Sequence, residues 1–187
     1  MDFKKKKIIM ESLGDLLSLI KLKKQSETKF IGNNYPASWG RVFGGQVLAQ
    51  SLNAAYETVP KDRVAHSMHG YFILSGDINS PIIYEVDKIR DGNSFTTRRV
   101  VAYQREKAIF NMAASFQKKE RGVNHQIVAP NILPPEVLRT DIQQVELLRD
   151  INPNYYEKLK KSRPKMFEFK PVEIMSHIET KNAIPFS

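Results

Sequence analysis

One change of period constrains this chain more than any other feature. Residues 43–56 (FGGQVLAQSLNAAY) set Phe43, Val47, Leu48, Leu52, Ala55 and Tyr56 at helical spacing, and Pro60 ends the pattern. From residue 63 the period becomes two. It stays so through RVAHSMHGYFIL (63–74), PIIYEVDKI (81–89), SFTTRRVVAY (94–103) and AIFNMAASF (108–116). Asp91-Gly92-Asn93 reads as a hairpin turn, and Arg105-Glu106-Lys107 joins the last two stretches. Residues 63–74 carry apolar side chains on both faces, which predicts a central strand. In the last strand Phe110, Met112, Ala114 and Phe116 share one face, and Asn111, Ala113, Ser115 and Gln117 share the other. One helix laid across an antiparallel sheet is an α+β solution.

The flanks are plainer. Ile8, Ile9, Leu13, Leu16, Leu17 and Ile20 recur at helical spacing and predict an amphipathic leader helix. Glu11 and Asp15 interrupt that apolar stretch, and no small-residue cleavage site follows, so a signal peptide does not fit. Residues 21–34 predict a strand whose lysines suit a sheet edge, and residues 33–40 (NNYPASWG) a turn-rich loop. After residue 117 the character shifts. Residues 118–135 are proline-bearing and poor in apolar side chains, residues 136–148 predict a short helix, and FEFKPVEI (167–174) alternates like a strand.

The absence of cysteine removes disulfides, thiolate nucleophiles and thiolate metal sites, and it agrees with a cytoplasmic protein. The formal net charge of +9 admits nucleic acid, an anionic surface or a polyanionic small molecule as partner. Four of those charges are the lysines of residues 4–7, a run that reads first as a solvated tail. No nucleic-acid motif, phosphate loop, dinucleotide fingerprint or metal-ligand spacing is present, and no apolar run is long enough to span a membrane. The sequence predicts neither a cofactor nor a metal, and neither nucleic acid nor membrane as a partner.

Several residues invite chemistry. Gly44 and Gly45 open the helix. Their first reading is close contact with the sheet; the second is a bare helix end, with its N–H groups and positive dipole, open to a thioester or a phosphate-like anion. Gln46 and Gln117 carry amides that can orient water or bind a carbonyl, and they are the catalytic candidates. His66, Ser67 and His69 cluster on one strand. Ser67 and His69 share a face about 6.6 Å apart, with no acid beside them. His66 and His69 face opposite sides of a regular strand and cannot share a metal. Arg98 and Arg99 also face opposite sides, which requires one of them to be solvated or paired, with Asp91 or Glu85 as partner.

The motifs GRVFGGQVLAQSL, HSMHGYFILSGD, PIIYEVDKIRDGNSFTTRRVVA and NMAASFQKKERGVNHQ, in that order, resemble the N-terminal half of an acyl-CoA thioesterase II (TesB-like). The resemblance runs from about Leu16 to Gln126 and weakly on to Ile174. It implies a hotdog fold over residues 1–126, a linker over 127–166 and the truncated start of a second hotdog, an orphan strand, over 167–187. It further implies hydrolysis of fatty acyl-CoA to free fatty acid and CoA. The family's Asp, Thr or Ser, and Gln set lies in the second repeat, and no residue of this sequence inherits those roles. Gly44, Gly45, His66, Ser67 and Arg98 become substrate-binding candidates. A hotdog sheet pairs edge to edge with another, so a homo-oligomer is expected. The rival expectation is a non-catalytic single-hotdog module that dimerises or pairs with a separate C-terminal half.

Overall fold

The computed structural model describes residues 12–37, 40–146, 149–150, 152–162 and 167–172. They fall into two units, one ending at Val123 and one beginning at Asn124.

The first unit opens with α1 (Leu13–Ile20), whose Ser12 side chain and Asp15 form a reciprocal capping box. Leu19 is buried, while Leu13 and Leu17 of the expected apolar stripe are exposed. Ile8 and Ile9 lie outside the described residues. The edge strand expected over residues 21–34 is a small hairpin of β1 (Lys23–Lys24) and β2 (Lys29–Gly32). Then come α2 (Gly44–Tyr56), β3 (Arg63–Phe72), β4 (Ile82–Asp91), β5 (Phe95–Gln104) and β6 (Lys107–Lys118). The six strands form one antiparallel sheet in the order β1-β2-β4-β5-β6-β3. The β5–β6 connection turns at Arg105 and Glu106, both with positive φ.

The helix packs on the middle of the sheet. Val47, Ala54 and Ala55 of α2 meet Tyr84, Val86, Val100, Ala102, Phe110, Met112 and Phe116 in one core. Period-two alternation explains the strand side of that core, since the face of β6 predicted to be apolar is the one that is buried. The helix side differs from its predicted stripe. Phe43 and Tyr56 are exposed, and Gln46, Gln50 and Ser51 are buried. Two amides outrank two rings there because they satisfy backbone carbonyls of Leu19 and Asn33 that would otherwise be buried without partners.

Two further expectations are corrected. Among the described residues β3 lies at the sheet edge, paired with β6 alone, and not in the centre. Its apolar residues on both faces therefore leave Val64, Met68, Tyr71 and Phe72 exposed. The strand is also irregular. A bulge between Ala65 and Ser67 shifts its register on β6, and the Tyr56 hydroxyl accepts the Ala65 N–H at 2.9 Å.

The second unit holds a 3-10 turn (Pro135–Val137), α3 (Asp141–Glu146) and α4 (Pro153–Ser162). Tyr156 is buried, and its hydroxyl donates to Glu146 Oε1 at 2.7 Å. The expected strand over residues 167–174 is not formed where it is described. Residues 167–172 are irregular, tied down by an Asp141 N–H to Phe169 O bond of 2.8 Å. Alternation alone makes no strand without a neighbouring edge to pair with. Glu173 and Ile174 lie outside the described residues.

Candidate functional site

The start of α2 faces a cleft of about 340 Å³. Val42, Val47, Phe72, Ile73, Leu74, Ile109 and Phe110 give it an apolar lining, Gly44 and Gly76 expose backbone, and Arg41 is the cation among its lining residues. Phe43 occupies the N-cap position with no side-chain cap bond. Gln46 N–H and Val47 N–H turn back to Phe43 O at 3.0 and 3.3 Å. Among the described residues, the Gly44 and Gly45 N–H groups have no hydrogen-bond acceptor. A helix of this length concentrates positive potential at such an end, and bare N–H groups beside it suit an oxygen that gains negative charge.

The paired glycines serve packing as well. A Cβ on Gly44 would come within 3.0 Å of the Phe72 ring, and one on Gly45 within 2.5 Å of the Phe43 ring. Close contact with the sheet, the first reading of the pair, is met at Gly44 under the Phe72 ring, whereas Gly45 lies under the Phe43 ring at the cap of its own helix.

The other predicted residues lie elsewhere. Gln46 is buried with its amide fully engaged. Its Oε1 accepts Tyr35 N–H at 3.0 Å, and its Nε2 donates to Asn33 O and Asn34 Oδ1 at 3.1 Å and to Gln50 Oε1 at 3.3 Å. Gln50 completes the chain of contacts, donating to Leu19 O and accepting the Tyr84 hydroxyl at 2.6 Å. Burial pushes that hydroxyl's pKa well up, so it stays protonated and donates. Gln46 thus ties the loop after β2 to the helix and does not reach the cleft.

Arg98 is also committed. Its side chain is 1% exposed, and all five donors have partners. These are Thr58 Oγ1, Thr58 O, Arg90 O, Thr97 O and Asp91 Oδ1, at 2.6 to 3.1 Å. Asp91 is one of the two partners the sequence offered, the other being Glu85; Arg99, on the opposite face, pairs with Asp87. Arg98 braces the far end of α2 and has no donor left for a phosphate.

His66, Ser67 and Gln117 sit on the outer face of the sheet, away from α2. Ser67 pairs with Ser115 across the ladder, and Gln117 lies between Val64 and Phe95. The bulge corrects the predicted placement of His66. It turns His66 to the outer face, where Nε2 lies 2.9 Å from Ser115 Oγ and the ring meets the edge of Phe95 at 5.7 Å. His66, Ser67 and His69 therefore share a face, since His69 pairs with Ala113 on the same side of β6. No cluster of three or more His, Asp or Glu side chains that could hold a metal occurs among the described residues. No helix among them is long and apolar enough to cross a membrane.

Of the predicted residues, then, Gly44 lines the cleft, while Gly45 beside it lies against the Phe43 ring. Sequence reasoning missed Arg41, Phe72 and Ile109. Arg41 carried a signal, as a lone cation just ahead of the glycine pair.

Comparisons with known proteins agree with this architecture. Residues 35–117 match the model of the acyl-CoA thioesterase N-terminal domain. Acyl-CoA thioesterase 2 of Haemophilus influenzae is 43% identical over 124 residues, covering 66% of this chain and 43% of that protein. The tesB protein of Mycobacterium avium subs paratuberculosis superposes with a TM-score of 0.62 at 35% identity, over 67% of this chain and 50% of its own. A hot dog fold protein from Alicyclobacillus acidocaldarius shares the fold alone, with a TM-score of 0.55 at 20% identity over 65% of this chain and 47% of its own. The chain therefore spans half or less of the length of each of these three proteins.

Proposed function

Because the chain belongs to the acyl-CoA thioesterase family through the hotdog domain that holds this cleft, we propose that it binds fatty acyl-CoA and serves its hydrolysis to free fatty acid and CoA. The observation that carries this reading is the open start of α2 in a cleft that combines apolar side chains with Arg41 and exposed backbone. A thioester carbonyl directed at the Gly44 and Gly45 N–H groups gains a place for the negative charge that water attack develops on its oxygen. The acyl chain then lies along Val42, Val47 and Ile109, and Arg41 at the cleft suits the phosphates of CoA. Attack by water breaks the carbon–sulfur bond, and the thiolate of CoA leaves and takes up a proton.

Among the described residues, the cleft lining contains no carboxylate, imidazole or side-chain amide to position that water. We assign that task to a second hotdog brought in by the exposed edge of β3. A strand edge that is unpaired among the described residues and bears Val64, Met68, Tyr71 and Phe72 is suited to antiparallel pairing with a second copy. The same missing group favours the second reading, in which the chain binds acyl-CoA without turning it over. A cytoplasmic setting fits a chain without cysteine.

Size-exclusion chromatography with light scattering, run beside a thiol-release assay on medium-chain acyl-CoA, separates the readings. A dimer that releases CoA supports the first. A dimer that binds acyl-CoA and releases nothing supports the second. A chain that binds no acyl-CoA removes both.

A further inference from the structure

We propose that Asn34 is a positioning residue: by holding the loop of residues 75–80 it sets where Arg41 stands, and so how well the cleft tells a ligand that carries phosphates from one that does not. This rests on the reading of the cleft as the acyl-CoA site.

The Arg41 side chain is available for an anion. Arg98, Arg99 and Arg105 each pair with an aspartate, whereas Arg41 has no carboxylate partner among the described residues. Its backbone, by contrast, is tied to the loop. Arg41 forms an antiparallel bridge with Asp77, and the Val42 N–H next to it donates to Gly76 O at 2.9 Å. Gly76 lies so close to that segment that a Cβ on it would stand 2.9 Å from Val42 Cγ2. Where the loop stands, the Arg41 backbone stands with it.

Two side-chain amides fix the loop. Asn34 Nδ2 donates to Asp77 O at 3.2 Å and to Ser80 O. Gln104 Nε2 donates to the same two carbonyls at 2.8 and 2.6 Å, and its Oε1 accepts the Asp77 N–H at 2.8 Å. Gln104 holds only the loop, but Asn34 holds the helix as well. Its Oδ1 accepts from Gln46 Nε2 at 3.1 Å, and Gln46 lies in the first turn of α2, directly after Gly44 and Gly45. Asn34 therefore joins the helix start, which takes the thioester oxygen, to the loop that carries the Arg41 backbone. Asn34 is not part of the cleft lining, so it acts through these neighbours. A CoA thioester must reach a fixed backbone donor and a fixed cation at once, and the gain from doing so depends on their spacing.

The test compares two non-hydrolysable ligands, a decyl CoA thioether and a decyl pantetheine thioether, which lacks every phosphate. Each is titrated calorimetrically into the full chain at about pH 8, where an introduced carboxyl is ionised. Wild type, Arg41→Met, Asn34→Asp and Asn34→Ala are compared. Asn34→Asp keeps the acceptor that Gln46 uses and replaces the donor facing the loop carbonyls with a second acceptor. Wild type should bind the CoA ligand about tenfold or more tighter than the pantetheine ligand, and Arg41→Met should remove most of that preference. Asn34→Asp should also remove most of it, although Arg41 is retained, with pantetheine affinity held within about twofold. Asn34→Ala should reduce the preference by less, and it carries the test if the aspartate variant melts early. A preference unchanged in both Asn34 variants, or a parallel loss for both ligands, overturns the positioning role. Equal binding of the two ligands by wild type overturns it as well, because Arg41 then reads no phosphate, while the acyl site stands. If wild type binds neither ligand, the acyl-CoA site itself falls and the proposal with it.

Discussion

The two ends of α2 have opposite chemistry. At the C-terminal end every demand is met. Arg98 donates to the Thr58 carbonyl and hydroxyl just past the helix, where the dipole favours a cation, and Tyr56 receives the Ala65 N–H. At the N-terminal end the Gly44 and Gly45 N–H groups find no acceptor among the described residues, Phe43 makes no side-chain cap bond, and a cleft opens beside Gly44. A helix end left open beside a cleft marks a place where a ligand can supply the missing acceptor. The contrast explains why a buried arginine, the residue that most resembles a phosphate binder, is structural here.

The largest effect belongs to the closed end. Arg98→Met takes the guanidinium donors from the Thr58, Arg90 and Thr97 carbonyls around its buried side chain, and should cost about 3 kcal/mol or more in urea unfolding. Acyl-CoA affinity of the folded fraction should stay unchanged. A loss of affinity at unchanged stability would break the comparison, because Arg98 would then be serving the ligand.

Gln50→Ala comes next. It strands the Tyr84 hydroxyl and the Leu19 carbonyl and leaves Asn33 O with Gln46 alone as side-chain donor, and should cost about 2 kcal/mol in the same measurement. Gly32 bears on the same contact, for a Cβ there would stand 2.8 Å from Gln50 Oε1. Gly32→Ala should therefore destabilise wild type and be tolerated better in the Gln50→Ala background, which a double-mutant cycle reads directly.

The smallest effect concerns pH. The Asn79 N–H, followed by the Ser80 and Asn79 side chains and the Arg105 guanidinium, holds Asp77 below its ordinary value of 3.8, against a smaller opposing effect of burial. A depressed folded-state pKa stabilises the fold above the unfolded value, and that stability is lost as pH falls through the folded one. Stability should therefore decline below about pH 3.8 with a component that Asp77→Asn removes. An identical acid profile for the two proteins would show that this loop adds nothing to the pH response.

Much of the fold was legible because period is a local property. The helix over residues 43–56, four strands, the Asp91-Gly92-Asn93 turn and the two faces of β6 all follow from spacing. What spacing could not show was which strand ends the sheet. β3 has apolar side chains on both faces, as a central strand would, yet it is an edge. One bulged residue was equally invisible, and it alone moves His66 to the face of Ser67 and His69. On α2 the apolar stripe misled, because the inward positions are decided by carbonyls of distant segments that only Gln46 and Gln50 can reach. The candidate site was half legible. The glycine pair announced it, but Phe72 and Ile109 join it only through sheet pairing.

The most direct test of the open helix end uses both faces of the sheet. A non-hydrolysable decyl CoA thioether is titrated calorimetrically into wild type, Gly44→Val, and the outer-face double variant His66→Ala/Ser67→Ala. The account predicts that Gly44→Val, which crowds the Phe72 ring and the bare N–H groups, lowers affinity about tenfold or more, equal to about 1.4 kcal/mol. The outer-face variant should bind like wild type. Loss of binding on the outer face with Gly44→Val unaffected would contradict the account and move the site to the other side of the sheet.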